Sequence, residues 1–168
     1  MSWSPRPLQL DDLPGLLQVQ RVCYGDEYVE GAEVFARRIA SAANCSLVLE
    51  CKGVVCAYLA AYRSRAGKVT PLHGDFEAVS TPDTLYLHDM AVHPDFVGQG
   101  LAHALLQRMR ELAKDSALPY SGLVSVQGSQ AYWARQGYSL HALSDPQQQE
   151  RLASYGEDAV YMLASHNF

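Results

Sequence analysis

The chain lacks a basic surplus: 13 lysines and arginines stand against 18 aspartates and glutamates, a formal charge of −5. Nucleic-acid binding needs a cationic footprint, so that class of partner is set aside. No apolar run approaches the roughly 20 residues that span a bilayer, and the opening MSWSPRPLQLDDLPG has no basic stretch leading into an apolar one. The expectation is a cytoplasmic protein with no membrane partner. Paired or clustered thiols are lacking as well. Cys23, Cys45, Cys51 and Cys56 show no CxxC spacing and no flanking histidines, which argues against a disulfide framework or a metal site and for buried apolar thiols. Repeats, low-complexity tracts and linkers are absent too. With 168 residues, 48% of them hydrophobic, residues 1–168 read as a single globular domain.

What is present is a mixed order of helix and strand. A short strand is expected over Trp3–Leu8, then a helix capped by Asp11 or Asp12 with Leu13, Leu16, Leu17 and Cys23 at near-helical spacing. A second helix spans Glu30–Ala43, with Val34, Phe35, Ile39 and Ala42 as its apolar face. Ser46–Cys51 and Val54–Tyr62 read as strands joined across Lys52-Gly53. Ser64–Thr84, rich in Gly, Pro, Ser and charge, reads as a long mobile connection. Leu85–Val92 is apolar on both faces, the mark of a central strand. A helix carrying Leu101, Leu105, Met109 and Leu112 on one stripe ends before Pro119. A strand over Leu123–Val126, a helix over Ser129–Gln136 closed by Gly137, and a strand over Ala159–Ala164 complete the chain.

The most informative stretch is Leu85–Leu106, LYLHDMAVHPDFVGQGLAHALL. A strand broken at Pro94 passes through a Gly-x-Gly turn into an amphipathic helix. The first N–H groups of a helix lack intrahelical acceptors and sit at the positive end of its dipole, a ready cradle for phosphate. Tyr86, His88 and Asp89 lie just upstream, side chains able to move protons. Strand alternation puts Tyr86 and His88 on one face and Asp89 on the other, unless a bulge intervenes. A dinucleotide fingerprint fails, because its third glycine is replaced by His103 and LVSV is followed by Gln127-Gly128 instead of an acidic residue. A nucleotide P-loop, G-x-x-x-x-G-K-[ST], is absent.

The run MAVHPDFVGQGLAHALL resembles the acetyl-CoA motif of the GNAT superfamily of N-acetyltransferases, in which a strand reading L-x-V-x-P precedes [RQ]-x-x-G-x-[GA] at a helix start. AYWARQGY, Ala131 to Tyr138, is similar to the family's FYxxxGF. The resemblance implies an α/β (α+β mixed) fold with a central, twisted, mostly antiparallel sheet, one splayed parallel strand pair, and helices on both faces. It implies acetyl-CoA as cofactor, with pantetheine entering the splay and pairing with main-chain groups of the strand Met90-Ala91-Val92. The pyrophosphate would rest on the N–H groups of Val97, Gly98, Gln99, Gly100, Leu101 and Ala102, with His103 a candidate side-chain contact. Ser129, Tyr132 and Trp133 would line the cofactor. Asp95 stands where the family often has Arg or Gln, and Val97 and Gln99 replace basic residues, so the cradle must rely on backbone.

Acetylation of an amine needs a proton acceptor, since an alkylamine with pKa about 10.4 is mostly ammonium at neutral pH. His88, on the strand against which the acyl group should rest, is the natural candidate. Its position resembles the second histidine of a pair found in arylalkylamine N-acetyltransferases; Tyr86 takes the place of the first. Tyr86 is either a proton carrier or part of the acceptor wall. Many family members place an acidic tyrosine where this chain has Trp133, leaving Tyr132, Ser129 or water to assist the thiolate, or nothing at all. The segment YGDEYVEGAE offers Asp26, Glu27, Glu30 and Glu33 to attract a cationic amine, and Tyr24 and Tyr28 as an amphipathic wall. The expected partner is a small-molecule or peptide amine, and the expected state a monomer or homodimer. The alternative is an inactive acyl-CoA-binding module, marked by Trp133 and Asp95. A hydrolase built on Ser129 finds no support, because Q-G-S-Q-A is no nucleophile elbow.

Overall fold

The computed structural model describes residues 3–166. Its sheet has seven strands. In chain order the elements are β1 (Arg6–Pro7), α1 (Leu13–Tyr24), α2 (Ala32–Ala40), β2 (Leu47–Cys51), β3 (Val54–Ser64), β4 (Thr84–Val92), α3 (Leu101–Asp115), β5 (Tyr120–Ser125), α4 (Gln130–Arg135), β6 (Ser139–Leu140), α5 (Pro146–Ala153) and β7 (Val160–Ser165). The strand order is β1-β2-β3-β4-β5-β7-β6. All neighbours are antiparallel except β4 and β5. That parallel pair is bridged by α3, as a parallel crossover requires. The mixed, mostly antiparallel sheet with one parallel pair is the fold that the two motifs implied.

Strand β4 is the middle strand, buried on both sides as its continuous apolar run predicts. On one face Leu85 and Leu87 pack with Leu101, Leu105 and Met109 of α3. On the other, Tyr86 and Ala91 pack with Leu13, Leu16 and Val19 of α1 and Phe35 of α2.

Several elements depart from expectation for physical reasons. The first strand shrinks to Arg6–Pro7, because Pro5 and Pro7 cannot donate to a ladder. Helix α2 stops at Ala40: the Ser41 hydroxyl donates to the Phe76 carbonyl and accepts the Ala43 N–H, so the chain turns outward. Cys23 is exposed and only Cys56 is buried, against the expectation of four buried thiols. The connection between β3 and β4 is no mobile loop. Val69, Thr70 and Phe76 within it are buried, and the Phe76 ring stacks on Tyr62 with centroids 4.4 Å apart. Helix α5 is an addition to the expected elements, because PQQQERLA carries no apolar stripe; its sign is Asp145, which accepts the Gln147 N–H at 2.9 Å as an N-cap ahead of Pro146. Gly137 closes α4 at φ 97° as foreseen, with the Tyr138 N–H reaching back to the Trp133 carbonyl.

Candidate active site

The parallel pairing of β4 and β5 ends at Leu87↔Leu123. Beyond it β4 stays with β3 as far as Val92↔Ala57, while β5 stays with β7 as far as Ser125↔Val160. The separation has a local cause. Between β3 and β4 the register runs Ala61↔Leu87 and then Ala60↔Asp89, so His88 is an inserted residue. A bulge of this kind bends and twists its strand, turning the second half of β4 away from β5. The gap is a cleft of about 290 Å³. Leu87, Asp89 and Met90 line it from β4, Leu123 and Val124 from β5, and Ser129, Tyr132 and Trp133 from the start of α4.

The same bulge decides which side chains share a face. Asp89 joins His88 on the α1 side, where strict alternation would have placed it opposite. The His93 N–H donates to the Cys56 carbonyl, so by alternation the main chain of Ala91 faces β3 while that of Met90 and Val92 faces the gap. Ala91 is thus committed within the sheet. The Tyr24 hydroxyl donates to the Met90 carbonyl at 3.0 Å and the Cys23 thiol to the Val92 carbonyl at 3.2 Å. The N–H groups of Met90 and Val92 are what this edge offers a ligand.

The proton-handling groups gather where β4 bends. The Arg38 guanidinium makes a fork–fork pair with Glu30, at 2.8 and 2.6 Å, and the His88 Nε2 lies 3.1 Å from both Glu30 oxygens. These side chains are only 1–2% exposed. Nε2 and the guanidinium are both donors meeting one carboxylate, which accounts for their 3.3 Å approach. The His73 N–H also donates to Glu30, at 2.8 Å. Glu30 itself is fixed by Gln20 of α1, whose side-chain amide bonds both its carbonyl and its N–H. Arg38 lies over the Phe76 and Phe35 rings, 4.7 and 5.4 Å from their centroids. Burial pushes the Glu30 carboxyl up, but His88 and Arg38 outweigh it and hold the group well below the ordinary carboxylate range. The remaining imidazole nitrogen, Nδ1 of His88, is buried without a partner among the described residues.

Asp89 is held differently. Its oxygens accept from the hydroxyls of Tyr24, at 2.9 Å, and Tyr58, at 2.5 Å, and it stays partly open to the cleft. Burial pushes its carboxyl up, opposed by the Tyr58 hydrogen bond. Tyr86 does not line the cleft. It is 1% exposed, its hydroxyl accepts the Thr70 N–H, and it packs in the core on the α1 side. Of the acidic segment, Glu30 is the buried network carboxylate, while Asp26, Glu27 and Glu33 are exposed. Tyr24 and Tyr28 line a second, smaller pocket against Glu30, His88 and Asp89.

At the far end of β4, Gly98 and Gly100 have φ of 85° and 87°, and an added Cβ at either would point into open space. The exposed Val97-Gly98-Gln99 run leads into the first turn of α3, where Leu101 is buried, Ala102 half-buried and His103 exposed. The indole N–H of Trp3 donates to the Gln99 carbonyl at 3.1 Å and pins the turn. No lysine or arginine appears in the run from Asp95 to His103, so this turn offers main-chain donors without a basic side chain of its own.

Strands that separate at Leu87 leave an opening shaped for an extended pantetheine-like chain, the architecture of an acyl-CoA-dependent transferase. The chain belongs to the acetyltransferase (GNAT) family, whose model matches residues 13–138. Among solved structures it is similar to the ribosomal-protein-S18-alanine N-acetyltransferase from Escherichia coli, with TM-score 0.70 and 17% identity over 99% of this chain and 96% of that one. PaiA N-acetyltransferase from Thermoplasma acidophilum, in complex with coenzyme A, gives 0.68 and 13% over 99% and 100%. A GNAT family acetyltransferase from Brucella melitensis, in complex with acetyl-CoA, gives 0.65 and 16% over 99% and 90%. At these identities the likeness is one of fold. No curated protein matches the chain in sequence. Acetyl-CoA fits the residues present: the gap is open, β4 turns N–H groups into it, and the glycine turn leaves room for phosphate. The expected Val97 N–H is not available there, because it donates to the Pro94 carbonyl at 3.4 Å.

Signals for some of the further site residues exist in the sequence. Arg38 falls on the stripe of Val34 and Phe35, and a charge on a buried stripe announces a buried partner. Tyr155 of the smaller pocket has no such signal, because its ring meets Tyr28 and its hydroxyl the Thr70 carbonyl, both remote in sequence.

Two outcomes follow from this geometry. Glu30→Gln leaves Arg38 buried without its counter-charge and should lower unfolding free energy in urea at pH 7 by about 3–5 kcal/mol. Because the folded carboxyl lies below the ordinary glutamate value of 4.5, the gap between parent and variant should be full above that pH and close as pH falls below it. Gly100→Val puts a branched residue at φ 87° and a side chain into the cradle. Its dissociation constant for coenzyme A, by calorimetry, should rise about tenfold or more; an unchanged constant would detach the turn from the cofactor.

Proposed function

We propose that this protein transfers acetyl from acetyl-CoA to the primary amine of a small or peptidic, cationic acceptor by direct attack of the amine. The observation that carries the reading is the bulge at His88, which brings an imidazole and a carboxylate together where the cofactor cleft meets the tyrosine-lined pocket. Bound acetyl-CoA supplies a thioester carbonyl open to attack and a thiolate leaving group.

His88 is the base in this reading. Glu30 accepts from Nε2 and fixes the tautomer, so that in the neutral imidazole the lone pair resides on Nδ1, the nitrogen without a partner. A carboxylate orienting an imidazole from one nitrogen while the other takes the proton is the logic of hydrolase triads with the ring reversed. A buried acceptor without a donor costs stability, and a proton arriving during turnover, directly or through one water, accounts for its presence. Met90 and Val92 hold pantetheine through their N–H groups, and residues 98–102 hold the pyrophosphate, the Val97 N–H being spent on the Pro94 carbonyl. Trp133 packs edge-on against Tyr132 and Tyr138, with centroids 5.0 and 5.5 Å away, as a wall and not an acid. A thiol with pKa near 8.5 leaves acceptably at neutral pH without one.

A second reading of the base rests on Asp89, which is open to the cleft and bears a carboxyl pushed upward by burial. The two are separable. Purified protein with acetyl-CoA and a panel of primary amines, followed by free thiol, should show release with at least one amine class; silence across the panel with coenzyme A binding intact overturns the transferase reading. His88→Gln should lower kcat by about a hundredfold or more and remove the acid limb of the pH profile, with the coenzyme A dissociation constant unchanged. A parental profile in His88→Gln together with its loss in Asp89→Asn would make the carboxylate the base.

A further inference from the structure

Beside the cleft lies the smaller pocket of about 40 Å³, formed where Tyr24 and Tyr28 meet Leu72 and Tyr155. It shares Tyr24, His88, Asp89, Val124 and Val126 with the larger cleft, so the two adjoin along these residues. Its size is restrictive: about three water-sized spheres fit such a volume.

The walls are rigid aromatic surfaces. The Tyr24 and Tyr28 rings meet edge to face, centroids 6.4 Å apart, and Tyr28 and Tyr155 stack at 6.3 Å. Each hydroxyl is already committed. Tyr24 donates to Asp89 and to the Met90 carbonyl, Tyr28 to the Tyr155 carbonyl at 3.1 Å, and Tyr155 to the Thr70 carbonyl at 2.5 Å. Those bonds hold the rings where they bound the pocket together with Leu72, Val124 and Val126.

The charge of the pocket is unbalanced. Glu30 reaches it but spends its carboxylate on Arg38, His88 and the His73 N–H. Asp89 has only tyrosine hydroxyls, and none of the ion pairs among the described residues involves it. A narrow chamber of tyrosine rings ending in a carboxylate with no cation of its own is complementary to a small cation.

Resting on the acetyl-transfer reading, we infer that this pocket selects the acceptor as an unbranched aminomethyl cation, a primary ammonium carried on a methylene, with the tyrosine rings around both groups and Asp89 at the inner end. Substituents on the carbon bearing nitrogen are excluded by volume, and neutral groups of the same shape gain nothing from rings or carboxylate. The substrate class is therefore a lysine-like side chain, an amino-terminal glycine or a slender alkylamine, whereas a branched α-carbon is refused.

The test reads binding apart from catalysis. Propylammonium, isopropylammonium and 1-propanol are titrated into the protein while the tyrosine ring resonances are followed by NMR. Propylammonium should shift the rings of Tyr24, Tyr28 and Tyr155 and bind about tenfold more tightly than the other two. Tyr155→Leu, which keeps apolar bulk without the π face, should weaken propylammonium severalfold and leave 1-propanol unchanged. Equal binding of the branched or neutral probe, or shifts that miss these three rings, overturns the inference. Thiol release from acetyl-CoA is measured alongside. Selective propylammonium binding with no release from any amine would uphold the pocket and overturn the transferase reading. Release as fast with isopropylamine as with propylamine would do the reverse.

Discussion

The carboxylate of Glu30 is the contact on which this site depends. It sits in the connection between α1 and α2, fixed at its backbone by Gln20, and its two oxygens receive Arg38 of α2, His88 of β4 and the N–H of His73. A carboxylate with its side chain 1% exposed would be ruinous alone, because desolvation opposes its charge. Paired and fully hydrogen-bonded, it ties two helices, the central strand and the long β3–β4 connection to one point. That connection is ordered for the same reason: Phe76 seals the guanidinium from above while His73 supplies a main-chain donor. Geometry at the imidazole is thus set by a charge network instead of by apolar packing, and networks of that kind tolerate only one arrangement.

A single inserted residue does the second piece of work. The bulge at His88 parts β4 from β5, frees the main-chain edge at Met90 and Val92, and rotates Asp89 onto the face already holding His88. The open cleft and the meeting of His88 with Asp89 on one face have one structural cause. The α1 terminus responds to it, with Tyr24 and Cys23 occupying the carbonyls that the missing strand would have bonded. Stabilising contacts are given up at this place: one parallel ladder ends early, a buried imidazole nitrogen has no partner among the described residues, and burial pushes the Asp89 carboxyl upward. Sites that sacrifice local stability in this way are where function is found.

Legibility follows the distance between interacting residues along the chain. The glycine turn and the head of α3 are legible because they are one continuous stretch whose amides are exposed by the turn itself. The central strand is legible from its two-sided apolar run, and the Gly137 cap from one residue. Helix α5 escapes a search for amphipathic spacing, because its sign is a cap and not a stripe. Asp89 falls on the wrong face when its strand is read alone, since alternation is then strict; the bulge exists only against β3. Tyr86 gains a chemical role from its alternation with His88, yet the fold buries it at the core of the α1 side.

By itself the sequence determined the family, the mixed fold and the glycine turn, since a strand, a turn and a helix start are one continuous stretch. Tertiary structure alone decided the tyrosine-lined pocket. Tyr24 meets Asp89 across 65 positions and Tyr28 meets Tyr155 across 127, and no local period encodes such meetings. Backbone groups are present at every residue and need only the right turn to be exposed, whereas a chamber of particular side chains exists only after distant segments have packed.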